Sequence, residues 1–480
     1  MNKQQAISTI DRDAAKFTAI SDAIWGFAEL SLKEYKSADC YEKALAEAGF
    51  KVTRGLHGIE TAVVGEYGAG RPIIGILGEY DALSGLSQKS GVAEKQPEPG
   101  METGHGCGHH LLGAGSFAAA CAVKEYLEHT GKPGTVIFYG CPGEEGGAAK
   151  AFFAKELEFT KLDAALSWHP GSDNQVSTGS CMSCIQTEYS FHGTAAHAAG
   201  EPERGRSALD AVELMNIGVQ FLREHMGRDA SIHYAITDGG GPSPNVVQPF
   251  AKVLYMVREA SVHKALRLQQ RVDKIADAAA MMTETTVSRR FIDGTSNTVV
   301  NKGIEKLLYK NFKEVGVPSY DGEEWAFMEN LMASYADQYA GCLPGTAGEA
   351  GDEVIKAEVA KLSNNGKKAL NDFIMPEFSS LLTFPGSTDV GDVSWQTPTG
   401  QINVVTWPSL CPGHSWQAVA AGKSSVAHKG MLTAGKVLAA AAIDMIDNPD
   451  TLRSIREEFE LRTREGFLSP IPDGAKPEIV

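Results

Sequence analysis

Pro72-Ile-Ile-Gly-Ile-Leu77 runs directly into Gly78-Glu79-Tyr80-Asp81-Ala82-Leu83. The first six residues are nearly all apolar and too few for a stable helix, which predicts a strand buried on both faces at the centre of a parallel sheet. The polar residues follow at once. In an open α/β sheet, ligands bind beyond the carboxyl ends of the strands. The same succession recurs twice downstream. Residues 135–139 form a strand signal that breaks into Cys141-Pro142-Gly143-Glu144-Glu145-Gly146-Gly147, and residues 163–168 form another that ends at His169. An Ala-rich helical run at 111–129 and a second helix at 150–158 lie between them. Strand, helix, strand, helix, strand predicts an α/β chain with a doubly wound sheet and chemistry after each strand.

Upstream, residues 6–27 carry apolar side chains at helical spacing, residues 37–48 predict a second helix stopped by Gly49, and residues 61–67 a strand. The pattern changes after Gly179. Strand 185–191, helix 207–225, strands 232–237 and 252–257, helix 262–282 and strand 285–291 give the order βαββαβ, a ferredoxin-like split unit. It predicts a second domain, residues 184–296, inserted into a catalytic domain formed by residues 1–183 and 297–480. Longer helices return at 302–312, 323–339 and 429–446. Residues 341–368 are Gly-rich and charged, with one helical stretch at 353–362.

At 480 residues the chain exceeds the usual single-domain size. Its 44 basic against 60 acidic side chains give a net charge of −16, which argues against nucleic acid or an anionic membrane as partner. An anionic substrate then needs a local basic pocket. The opening residues lack a signal-like apolar core, and no stretch is long enough to span a membrane. Eight cysteines spread over this length make no disulfide framework, so reduced thiols in a cytoplasmic protein are expected.

Gly104-His105-Gly106-Cys107-Gly108-His109-His110 packs three imidazoles and a thiol among three glycines. Cys107 and His109, two apart, suit a loop that brings its backbone close to a metal ion. An isolated Cys-x-His is more often a His/Gly loop with one buried thiol. Here three further loops offer ligand-type residues: Glu144 and Glu145, His169, and His414 in Pro412-Gly413-His414-Ser415-Trp416. Thiolate, imidazole and carboxylate together suit two divalent ions, zinc or manganese, with one thiolate or carboxylate able to bridge them. Of two adjacent carboxylates, one can bind metal while the other moves a proton. Glu144-Glu145 could equally begin a solvated helix, but the strand before it and the glycines after it favour the site.

Tyr80-Asp81-Ala82-Leu83, His105-Gly-Cys107-Gly-His109, Pro142-Gly-Glu144-Glu145-Gly-Gly, His169 and Phe191-His-Gly-Thr-Ala-Ala-His197 resemble, in order, the successive motifs of the M20 metallopeptidase and amidohydrolase family. Glu29-Leu30-Ser31 resembles its opening helix-turn. The resemblance implies Cys107, His109, Glu145, His169 and His414 as metal ligands, Glu144 as general base and then acid, and Asp81 as the group that orients a ligand. It implies a lid and dimerisation role for the inserted domain, with His197 stabilising the oxyanion, Asn245 in a substrate-contacting segment, and Arg258 pairing with a substrate carboxylate. Many members carry histidine where this chain has Glu79, and position 110 is histidine where Asp or Asn is expected. The chain therefore looks like the Cys-containing amidohydrolase branch. That implies two divalent ions, Mn2+ or Zn2+, and hydrolysis of a small N-acyl amino acid, an aroyl-glutamate foremost, by a homodimer or beside a sister subunit. Two rivals remain at this level: a cysteine hydrolase using Cys107 as nucleophile, and a subunit inactive without its partner.

Overall fold

A computed structural model describes residues 1–478. The chain divides into two compact units. The first comprises Met1–Gly179, Val299–Leu382 and Val393–Gly466; the second comprises Ser180–Thr298, Thr383–Asp392 and the segment from Phe467. The strands that matter are, in chain order, β1 (Lys51–Arg54), β2 (Val63–Ala69), β3 (Ile73–Glu79), β4 (Gly134–Cys141), β5 (Ala164–Gly171), β6 (Gln175–Val176), β7 (Ser183–His192), β8 (Ser231–Asp238), β9 (Phe250–Glu259), β10 (Thr286–Thr295) and β11 (Thr399–Val405). The helices are α1 (His109–Thr130), α2 (Ala149–Lys155), α3 (Ala208–Arg223), α4 (Val262–Thr283) and α5 (Ser425–Asp447).

The first unit is a mixed α/β layer structure around a seven-stranded sheet of order β1-β2-β4-β3-β5-β11-β6. Its centre, β4-β3-β5-β11, is parallel. Antiparallel β1 and β2 close one edge and β6 the other. Both faces of β3 are covered, which is why its sequence is an unbroken apolar run. Ile74 and Ile76 join a core with α1 and α5, while Gly75 faces Leu162 and Tyr139 on the opposite side. The ring of Tyr139 packs edge-on against Phe159 at 5.2 Å. Helix α1 is Ala-rich because residues 111–120 are buried without exception, between the sheet and α5.

The sequence pattern overlooks β1, β6 and β11. In β11 the polar Gln401 and Asn403 alternate with fully buried Ile402 and Val404, and the strand inserts parallel to β5 with Asn403 opposite His169. The predicted helix over 6–27 is two helices, Lys3–Arg12 and Ala14–Phe27, divided at Asp13. The one predicted over 323–339 ends at Ala333 and resumes as a single tight turn, Ala336–Tyr339.

The second unit's sheet has the order β8-β9-β7-β10, with every neighbouring pair antiparallel. Tyr189, Phe191, Val253, Tyr255 and Val257 face residues of α3 and α4 in one core. Thr383–Asp392 belongs to this unit because Asp392 accepts hydrogen bonds from the Ser296 backbone N–H (2.9 Å) and hydroxyl (2.6 Å). Among the described residues no helix is long and apolar enough to cross a membrane.

Asp173, just past the end of β5, is buried with its Oδ1 lacking a hydrogen-bond donor. Burial pushes its pKa up from 3.8 to about 7. Between those values the folded chain holds a proton that the unfolded chain has released. Stability from this group is therefore complete below the unfolded pKa and is lost as pH rises through the folded one. Asp173→Asn is expected to raise the melting temperature at pH 8 more than at pH 4, as read by thermal unfolding at both values.

Candidate metal centre

Three strand ends of the first unit bring their polar residues to one place. Beyond β3, Asp81 is 1% exposed and all its hydrogen bonds converge on the site. Its Oδ1 accepts from His109 Nδ1–H at 2.8 Å, and its Oδ2 accepts from Ser31 Oγ (2.8 Å) and from the Glu145 backbone N–H (2.9 Å). Ser31 reaches it because the segment before it runs beside β3's exit, with Ala82 N–H donating to Glu29 O at 2.8 Å. Burial alone would raise the Asp81 pKa, but the charge and hydrogen bond of His109 and the two further donors hold it well below the usual carboxylate range. An ionised Asp81 accepts only, so Nδ1 keeps its proton and Nε2 is the nitrogen open to a ligand. Burial alone would lower the His109 pKa, but Cys107 and Asp81 raise it well above the usual imidazole range, so a metal ion there would replace the Nε2 proton. That Nε2 is buried and has no hydrogen-bond partner.

His169, at the end of β5, is set in the same way: its Nδ1–H donates to Pro170 O at 2.7 Å, freeing Nε2. Nε2 lies 3.4 Å from Cys107 Sγ. Gly108, at φ +77°, makes this approach possible, because a Cβ there would come within 2.9 Å of Pro170 and Trp407. Helix α1 begins at His109 itself, two residues earlier than the apolar run suggests.

After β4, Gly143 takes φ +65° and its N–H donates to Glu34 Oε1 at 2.8 Å, pinning the turn that presents Glu144 and Glu145. Burial and the neighbouring Asp81 charge push the Glu34 pKa up to about 8. Glu145 Oε1 lies 3.2 Å from His414 Nε2, and Glu144 Oε2 lies 4.0 Å from His109 Nε2. His414, in the loop after β11, adopts φ +50° and is about half exposed; its bond to Glu145 raises its pKa.

The donor atoms of Cys107, His109 and His169 all lie within 4.8 Å of one another, as do those of Cys107, Glu145 and His414. Cys107 belongs to both groups. Two donors bound at about 2.0–2.3 Å to one ion stand about 3–3.7 Å apart, and the Cys107–His169 and Glu145–His414 separations fall in that range. The unpartnered His109 Nε2, with thiolate, imidazole and carboxylate donors around it, fits a zinc- or manganese-type ion.

In the second unit, His197 Nδ1 accepts from the N–H groups of Ala199 (3.2 Å) and Gly200 (3.1 Å), which puts the ring proton on an exposed Nε2. Asn245 is its neighbour, since Ala198 N–H donates to Asn245 O at 3.0 Å and His197 bridges Val246. Arg258, on β9, donates from Nη1 to Ser387 Oγ at 2.7 Å.

Sequence reasoning passed over Ser31, Glu34, Glu79 and Lys150 as site residues. Glu79, on β3 two residues before Asp81, has Oε2 3.3 Å from His109 Nε2 and Oε1 2.8 Å from the fully buried Lys150 Nζ of α2. The period-2 spacing of Glu79 and Asp81 was the signal that could have found it. His110 does not orient His109: its Nε2–H donates to Gly422 O at 2.9 Å and its ring packs on His105, 4.7 Å between centroids.

The sequence profile of peptidase family M20/M25/M40 matches residues 75–405. A subunit of the p-aminobenzoyl-glutamate hydrolase of Escherichia coli (strain K12) is 41% identical over 470 residues, 98% of this chain and 97% of that protein. The Xaa-Arg dipeptidase of Homo sapiens is 27% identical over 96% of this chain and 93% of its own. The crystal structure of the aminobenzoyl-glutamate utilization protein from Klebsiella pneumoniae superposes with a TM-score of 0.59 at 15% identity, covering 91% of this chain and 97% of that one, and shares its fold.

Proposed function

The chain belongs to peptidase family M20/M25/M40, and we propose that this metal-dependent amidohydrolase cleaves p-aminobenzoyl-glutamate to p-aminobenzoate and glutamate. The observation that carries the reading is the convergence of Cys107, His109, Glu145, His169 and His414, whose donor atoms fall into two groups that share Cys107, with Glu144 beside them. The substrate follows from likeness along nearly the whole length of the Escherichia coli hydrolase subunit.

We read the centre as holding two divalent ions, manganese or zinc. Glu79, Glu144, Glu145 and Cys107 bring carboxylate and thiol donors to one pocket, with Asp81 behind them, a donor set suited to divalent ions. Bound there, the ions would polarise the scissile carbonyl and lower the pKa of the attacking water. Glu144 takes the proton from that water and returns it to the leaving glutamate nitrogen. Asp81 keeps His109 in the tautomer a ligand needs. The Nε2–H of His197 is the oxyanion donor in this reading, and Asn245 and Arg258 bind the substrate carboxylates.

A cysteine nucleophile is disfavoured. Burial pushes the Cys107 thiol up to about 12, where a reactive thiol is held well below its ordinary value; metal ligation, by contrast, deprotonates a thiol outright. We read the second unit as a ferredoxin-like lid through which two copies pair, supported by its strand order and by exposed Phe221, Tyr234 and Ile236. The bacterial relative's designation as one subunit of a hydrolase makes a sister chain the other partner to test.

The test is hydrolysis by the purified chain, stripped with chelator and resupplied with manganese or zinc. Turnover of p-aminobenzoyl-glutamate above p-aminobenzoyl-alanine and N-acetylglutamate supports the assignment. Preference for either of the other two would reject it.

A further inference from the structure

We propose that Glu79 is a sixth side-chain ligand of the metal centre, binding the ion held by His109 Nε2, and that Lys150 positions it. The proposal rests on the reading of this site as a metal centre. Glu79 ends β3 with its side chain 3% exposed. One carboxylate oxygen meets Lys150 Nζ at 2.8 Å, and Lys150 is wholly buried. This contact holds one Glu79 oxygen in place.

Its other oxygen faces His109 Nε2 at 3.3 Å. Asp81 holds His109 by Nδ1, which turns Nε2 toward this oxygen. The 3.3 Å gap is the separation of two donors bound at about 2.0–2.2 Å to one ion. Glu144 completes a third donor group with Glu79 and His109, all within 4.8 Å. With Glu144 reserved for proton transfer, Glu79 is the carboxylate that can serve that ion on this side. An added oxygen donor raises the coordination number and hardens the site, which favours manganese over a four-coordinate zinc. Lys150 acts at one remove, holding one carboxylate oxygen so that the other addresses the ion.

The experiment is manganese binding by equilibrium dialysis with elemental analysis, on the full chain stripped of metal, for wild type, Glu79→Gln and the double variant Glu79→Gln/Lys150→Met. The double variant also removes the buried cation whose carboxylate the single one takes away, and its melting temperature reports folding. The expected result is two equivalents in wild type and, in the variants, affinity for one of them weakened about 10- to 100-fold, with selectivity shifted toward zinc. Wild-type affinity for both equivalents in a folded double variant overturns the role of Glu79 and leaves the centre intact. Wild type that binds no manganese or zinc overturns the metal-centre reading itself. A crystal structure of the manganese-loaded wild type decides independently of any variant: Glu79 Oε2 about 2.0–2.3 Å from an ion supports the assignment, and an ion beyond reach of Glu79 rejects it.

Discussion

Glu144→Ala is expected to lower kcat for amide hydrolysis about 10²- to 10⁴-fold while the protein still binds its metal. The two halves of that result come from different residues. Glu145 is tied into the ligand cage through its backbone N–H to Asp81 and its carboxylate beside His414. Glu144 lies next to it, 4.0 Å from His109 Nε2, wider than the about 3–3.7 Å between adjacent ligands of one ion and close enough to reach a water between them. Removing the carboxylate takes away the proton acceptor without dismantling the cage. Glu144→Gln keeps the shape and is expected to show a comparable loss, which steady-state kinetics paired with metal analysis on the same samples will read. A loss of activity matched by an equal loss of metal would make Glu144 a ligand instead.

Cys107→Ala is expected to weaken binding of both ions, each by more than about 100-fold, since even residues that only orient a ligand cost about 10- to 100-fold. The sulfur is the one donor common to the groups with His109 and His169 and with Glu145 and His414. His414→Ala, by contrast, removes a donor from one group and from a half-exposed loop, so it is expected to weaken one ion only. Metal titrations of the two variants side by side distinguish a shared ligand from an unshared one. Equal stoichiometry and affinity in Cys107→Ala and wild type would remove the thiolate from the centre.

The central strands were readable because burial on both faces leaves a continuous apolar run with glycine near its end, as in β3 and β4. The candidate ligands were legible because each lies beyond a strand signal or beside a glycine. β11 was not, since Gln401 and Asn403 interrupt its apolar character and only the tertiary pairing with β5 makes it a strand. Ser31 and Glu34 were not, because each acts on a residue at least 50 positions away: Ser31 on Asp81, Glu34 on Gly143. Glu79 was visible as an odd residue beside Asp81, yet its meaning depends on Lys150, which arrives from α2 some seventy residues later. Position 110, histidine where Asp or Asn was expected, is explained only by tertiary structure, since the helix turns His110 toward Gly422 O.

Metal-dependent hydrolysis is best tested by stripping the purified chain of metal, titrating manganese back, and following p-aminobenzoyl-glutamate turnover against bound ion. The expected result is no activity without metal and recovery that is complete at two equivalents per chain. Hydrolysis that persists in the fully stripped protein, or a stripped chain that takes up neither manganese nor zinc, would contradict it.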